Sequence, residues 1–207
     1  MKVALVNYGM GNLASVRRAL EDLDAIVVDA QHPAALFDAD RIVLPGVGAF
    51  AQGMERLEHG GWPEALQRLV GEEGRPILGI CLGMQMLATE GDEGGPRPGL
   101  GLVEGRIRRL DALGCGLRIP HVGWNDVKHT EGNPLFGHIG QGADFYFVHS
   151  FAFDAARGGD VAAWTDYGVP VAAAVSRGNV FGTQFHPEKS SKAGRQLLRN
   201  FLDHASC

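Results

Sequence analysis

The pentapeptide Gly79-Ile80-Cys81-Leu82-Gly83 follows the apolar run Pro76-Ile77-Leu78 and has the small-x-nucleophile-x-small form of a turn from strand into helix. Such an elbow lifts its central side chain above the sheet, and a Cβ at either flanking glycine would crowd it. Sulfur at a helix N-terminus is favoured as thiolate, because unpaired N–H groups and the helix dipole stabilise negative charge. This support suits acyl chemistry, with the Leu82 N–H aimed at a developing oxyanion. Taken alone, the pentapeptide also fits a buried core cysteine.

Far along the chain, Gln184-Phe185-His186-Pro187-Glu188 follows the last apolar strand and precedes the last amphipathic stretch. His186 and Glu188 are two apart, so on extended backbone both face one side. A carboxylate there can orient the imidazole and stabilise its cation, the part of the third member in a nucleophile–base–orienter triad. Alone, the tripeptide is more readily a His-Pro turn with a solvated acid; beside the elbow it gains a purpose. A third segment, Leu44-Pro45-Gly46-Val47-Gly48-Ala49-Phe50, is a glycine-rich loop that can offer backbone N–H groups to an oxyanion. It lacks the Lys-Ser/Thr of a phosphate loop and the GxGxxG of a dinucleotide site.

These residues need a scaffold, and the first half supplies the alternating rhythm of a mostly parallel sheet covered by helices. Strands are expected at Lys2 to Asn7, Ala25 to Val28, Arg41 to Leu44 and Pro76 to Ile80, with helices over Asn12 to Leu23, Ala51 to Leu57, Pro63 to Val70 and Leu82 to Thr89. Glu90 to Gly99 is rich in Gly and Pro and reads as a loop. Strand-like segments then dominate: Leu102 to Arg109, Leu117 to Val127, Asp144 to Phe151, Val161 to Thr165, Val171 to Val175 and Val180 to Phe185, before a helix from Ser190 to about His204. The expected fold is α/β, one domain over residues 1–207.

Composition narrows the function. With 207 residues, 45% hydrophobic and 21% charged, the chain has a globular make-up, and its 30 glycines imply many tight turns. A net charge of -5 offers no field for a phosphate backbone, so nucleic acid is not an expected partner. The chain opens at Met1 and enters Val3-Ala4-Leu5-Val6 without a basic or long apolar leader, and no run suits a membrane span, so a cytoplasmic protein is expected. Cys81, Cys115 and Cys207 are scattered and form no CxxC pair; neither metal nor cofactor is expected.

In this order the three elements resemble the class I glutamine amidotransferase family, and the likeness runs over nearly the whole chain. It is carried also by Asn7-Tyr8-Gly9-Met10-Gly11-Asn12, Gly83-Met84-Gln85, Gly99-Leu100-Gly101-Leu102, Pro120-His121-Val122-Gly123-Trp124-Asn125, Tyr146-Phe147-Val148-His149-Ser150 and Phe185-His186-Pro187-Glu188-Lys189-Ser190. The resemblance implies a flavodoxin-like three-layer sandwich and hydrolysis of L-glutamine to glutamate and ammonia. Cys81 would be the nucleophile, His186 the base and Glu188 its orienter. Leu82 and either Val47 or Gly48 would form the oxyanion hole, with Gln85, Gly46, Gly48, His149 and Ser150 around the substrate. The variants, Met84 and the Pro-Gly-Val-Gly loop among them, resemble subunits that pass ammonia to a (β/α)8-barrel cyclase of histidine biosynthesis in a heterodimer. Asn12, Trp124, Asn125, Tyr146 and Lys189 are then candidate partner contacts. Val122 stands where Met is frequent, a change expected to touch only interface packing. The resemblance also implies low glutaminase activity for the chain alone, since the Pro45 to Gly48 loop can turn its amides toward or away from the oxyanion. Three alternatives stay open: a glutaminase subunit of another class I amidotransferase, a cysteine peptidase or esterase on a similar elbow, and a subunit that only docks.

Overall fold

The computed structural model describes residues 1–204; Cys207, assigned no role, lies outside them. The first half runs β1 (Lys2–Val6), α1 (Leu13–Glu21), β2 (Ile26–Ala30), β3 (Arg41–Gly46), α2 (Phe50–His59), α3 (Trp62–Leu66), β4 (Ile77–Cys81) and α4 (Leu82–Met86). Then come β5 (Glu90–Gly91), β6 (Arg97–Pro98), β7 (Gly105–Arg109), β8 (His121–His129), β9 (Ala143–His149), β10 (Phe151–Ala155), β11 (Val161–Asp166), β12 (Pro170–Arg177), β13 (Val180–Thr183) and α5 (Ser191–Asp203).

Among the described residues, one nine-stranded sheet has the order β2-β1-β3-β4-β13-β12-β11-β8-β9. From β2 to β13 neighbours are parallel, and from β13 outward they are antiparallel. Every residue of β3 and β4 is buried, as expected for parallel strands covered on both faces. Alternation sorts their side chains into two cores. Val3, Leu5, Val43, Leu78 and Ile80 meet Val16 and Leu20 of α1 and Leu197, Leu198 and Phe201 of α5. Ala4, Val6, Ile42 and Leu44 meet Met54 and Leu57 of α2 and Trp62 and Leu66 of α3. The result is the expected three-layer α/β sandwich.

Several expected boundaries move, for local reasons. Helix α4 ends at Met86 rather than Thr89, because the Leu87 and Ala88 amides bond back only three residues and the Thr89 amide turns to the Gly105 carbonyl. The expected loop from Glu90 to Gly99 contains β5 and β6, which pair with each other and join β7 and β10 in a second, four-stranded sheet. The single strand expected over Asp144 to Phe151 is broken at Ser150 into β9, in the large sheet, and β10, in the small one. The strands expected from Leu102 and Leu117 start later, at Gly105 and His121. In the stretch from Pro63 to Val70, α3 passes after Leu66 into a wider π-helical segment, Gln67–Glu72.

Candidate active site

Cys81 ends the buried central strand β4 and starts α4 with φ 55° and ψ -109°. A non-glycine residue in that region costs on the order of 1–3 kcal/mol and persists only where its surroundings dictate it. Here they do. A Cβ on Gly79 would come within 2.6 Å of the Gly83 carbonyl oxygen, and one on Gly83 would overlap the Leu44 carbonyl. Strand, turn and helix therefore approach at backbone distance, and only the side chain between the two glycines has a way out.

The way out leads to His186. Beyond β13 the backbone around it is pinned: its N–H donates to the Tyr146 carbonyl at 3.0 Å, and its carbonyl accepts from the buried Ser190 hydroxyl at 2.6 Å. The same hydroxyl accepts the Tyr146 N–H at 3.0 Å, tying the turn to β9. His186 Nδ1 lies 2.9 Å from Glu188 Oε1, with both side chains buried. Burial alone would lower the imidazole's affinity for a proton. The adjoining Cys81 sulfur and the Glu188 carboxylate more than reverse this and raise its pKa from 6.5 to about 9. Tyr8 is the other titratable group beside the sulfur. Its hydroxyl is buried without a hydrogen-bond partner among the described residues, and burial, then the charge on Cys81, raises its pKa.

A cleft of about 480 Å³ opens in front of the sulfur, lined by Val47, Gly48, Ala49, Cys81, Leu82, Gln85, Glu93, Pro120, Val148 to Phe151, His186 and Lys189. It gathers Cys81, His186, Leu82, Val47, Gly48, Gln85, His149 and Ser150 as the sequence suggested, with Glu188 behind His186. Gly46 is outside it: it ends β3 under the elbow, where a Cβ would press on Leu82. Gln85 is buried in the cleft wall and not on the helix surface; its Nε2 donates to the Phe151 carbonyl at 3.1 Å and to Gln184 Oε1 at 3.0 Å. Three residues here had been assigned no role. Gln184 lies two before His186 and, like it, faces the Cys81 sulfur, a spacing of two that the sequence carries. Ser190 carries no such signal. Glu93 comes from the segment read as a loop; its Oε2 accepts the first N–H of α2, from Phe50, at 3.1 Å. Burial raises its pKa, partly offset by that hydrogen bond.

The comparisons with known proteins decide the lineage. The sequence matches the family described as glutamine amidotransferase class-I over residues 4–205. The chain belongs to the class I glutamine amidotransferases. Among curated relatives, "Imidazole glycerol phosphate synthase subunit HisH" of Symbiobacterium thermophilum is 49% identical, covering 97% of this chain and 92% of that one. The protein of the same name from Halobacterium salinarum is 46% identical, covering 99% and 94%. A solved structure titled "Crystal structure of glutamine amidotransferase" superposes with a TM-score of 0.76 at 23% identity, covering 97% of both chains, which speaks for the fold alone.

Beside the cleft of this amidotransferase, the open face of β8 and β9 carries large apolar side chains. Val122 pairs with Val148, and Trp124 with Tyr146. Val122 is 56% and Trp124 53% exposed, so Trp124 is not core. The Trp124 and Tyr146 rings meet edge-on at 6.0 Å, and Lys189 Nζ stands 6.0 Å from the Tyr146 ring centre. Asn12 is exposed and caps α1 through the Ser15 amide at 3.4 Å. Asn125 differs from its neighbours: its amide turns toward His121 and the Asp166 carbonyl. Cys115 is buried, its sulfur 3.1 Å from the Tyr167 carbonyl. Among the described residues no helix is long and apolar enough to cross a membrane.

Proposed function

We propose that this chain is the glutaminase subunit of an imidazole glycerol phosphate synthase, releasing ammonia from L-glutamine for a (β/α)8-barrel cyclase bound over β8 and β9. The observation that carries the reading is the strained Cys81 at the strand–helix elbow with His186, itself held 2.9 Å from Glu188, beside its sulfur. Family membership and the names of relatives 41–49% identical support the substrate and the partner.

In the proposed cycle Cys81 Sγ attacks the side-chain carboxamide carbon and His186 takes the thiol proton. The tetrahedral oxyanion is met by the Leu82 N–H and by Val47 or Gly48. With a pKa near 9, His186 keeps its proton at neutral pH until the leaving nitrogen takes it; the C–N bond breaks and ammonia departs. His186 then accepts a proton from water as it attacks the thioester, and glutamate leaves with Cys81 restored. Glu188 holds the ring and balances its charge throughout. The substrate's α-ammonium has a counter-ion in Glu93, and Lys189 at the rim suits its carboxylate. Protonated ammonia has no lone pair to attack with, so release beside the docking face, under a bound partner, has a chemical reason.

The test is glutamate release measured with and without the cyclase and its substrate, against peptide and ester hydrolysis. We expect glutamine turnover that is slow alone and rises with the partner. Cys81→Ala should reduce glutamine-dependent synthesis by about 10⁴-fold or more while sparing synthesis fed with ammonium. Ester hydrolysis without glutamine turnover, even with the cyclase present, would reject the assignment.

A further inference from the structure

Two series of hydrogen bonds, one from β8 and one from the nucleophile, converge on the Phe151 carbonyl, and chemistry fixes the direction of each. Asn125 Oδ1 accepts the Asp126 N–H at 3.0 Å, so its Nδ2 must point the other way, where it meets the Asp166 carbonyl at 2.8 Å and His121 Nε2 at 3.4 Å. At the far end His149 Nδ1 lies 2.8 Å from the Phe151 carbonyl, which can only accept, so that nitrogen carries the proton. Burial lowers the pKa of both imidazoles to about 4, with the Phe151 carbonyl countering it at His149. Both rings are therefore neutral at neutral pH. His149 Nε2 must then accept, and His121 Nδ1, 3.0 Å away, must donate. His121 Nε2 is left to accept from Asn125.

The Phe151 carbonyl also accepts from Gln85 Nε2, whose second proton goes to Gln184 Oε1. With its oxygen so engaged, Gln184 presents Nε2 to Cys81 Sγ, at 3.8 Å. Gln184 is fully buried, and the stable amide orientation is the one that gives the sulfur a donor. A donor there favours the anionic form of the nucleophile.

We propose that Gln184 is a further catalytic residue that stabilises the Cys81 thiolate, and that Gln85, whose nitrogen is held by the Phe151 carbonyl, is a positioning residue that fixes which way its amide faces. The inference deepens the glutaminase reading and rests on Cys81 being its nucleophile.

The test reads the sulfur directly, without glutamine: the rate of Cys81 alkylation by iodoacetamide as a function of pH. Gln184→Leu removes the donor while His186 and Tyr8, the other titratable groups at the sulfur, stay in place. The pH of half-maximal alkylation should rise by about one unit. Gln85→Leu removes the donor that holds the Gln184 oxygen and leaves that amide free to turn. It should shift the profile the same way by a smaller amount. Gln184→Met, close to glutamine in length and without a donor, should give the same shift as Gln184→Leu and keeps the test open if the leucine variant fails to fold. An unchanged alkylation profile in a folded Gln184→Leu or Gln184→Met variant would overturn the proposal. Loss of glutamine turnover in the wild type, with these readouts as expected, would instead count against the glutaminase reading.

Discussion

The elbow at Cys81 and the loop at Val47 and Gly48 face each other across the cleft, and both depend on glycine, but in opposite ways. At the elbow the neighbours of a would-be Cβ are backbone atoms of β3 and α4, which cannot step aside. At Gly48, with φ 113°, the nearest atom is the end of the Met10 side chain at 2.8 Å, and the loop is exposed, Val47 by 44%. The elbow is thus held by packing in one arrangement. At the loop the crowding comes from the end of a side chain, which can move. In the proposed cycle the nucleophile and base need fixed geometry, whereas amides gated by a partner would need freedom to turn.

The sharpest way to break this contrast is to add one methyl group on each side. Gly83→Ala should cost more than about 4 kcal/mol, since a carbon must displace the Leu44 carbonyl in the buried centre of the sheet, and thermal denaturation should find little folded protein. Gly48→Ala should fold with a melting temperature near that of the parent, because Met10 can move, yet lose glutamine turnover through a φ that alanine resists. Equal melting temperatures for the two variants would mean the elbow is not locked.

A smaller effect is expected from Glu188→Gln, which keeps the shape of the fixed side and removes its charge. His186 would lose one of the two groups that raise its pKa, so the value should fall. In the parent, glutaminase activity should decline as pH rises through about 9, where His186 gives up the proton meant for the leaving nitrogen. In the variant that decline should begin at lower pH, and kcat should drop by roughly 10²–10⁴-fold. Linkage adds a stability counterpart. With its pKa raised in the folded chain, His186 stabilises the parent fully below pH 6.5 and loses that contribution as pH rises through 9. His121 and His149, depressed to about 4, act in the other direction: between pH 6.5 and 4 the unfolded chain binds protons that the folded one refuses, so stability falls as pH falls. Chemical denaturation across pH, with an alkaline slope reduced in Glu188→Gln and the acid slope unchanged, checks the pair.

The fixed side was legible in the sequence because its constraints are local. Two glycines around one cysteine, and His-Pro-Glu after an apolar strand, state their geometry within a few residues. The hydrogen-bonded chain was not, since it passes through β8, β9, β10, α4 and the end of β13, and its order depends on which strands become neighbours. Glu93 was hidden for a related reason: the Gly/Pro-rich segment reads as loop, and nothing local says that it folds against the first turn of α2. The break at Ser150 is of the same kind, because the apolar pattern runs on through it while the chain changes sheets.

The smallest expected effect concerns Tyr8, at the edge between the two regions. Its hydroxyl is buried and has no hydrogen-bond partner among the described residues, and it sits so close to Gly46 that a Cβ there would overlap it. A buried hydroxyl has given up its bonds to water, and where the protein returns none the loss is uncompensated. Tyr8→Phe keeps the ring that packs against the core and deletes only the oxygen, so it should raise stability by about 1 kcal/mol. A small rise in melting temperature would place Tyr8 as a strained neighbour of the locked elbow. A fall would mean that the hydroxyl makes a bond in solution, and since it lies against Gly46, the residue before Val47, that bond would help to hold the start of the loop.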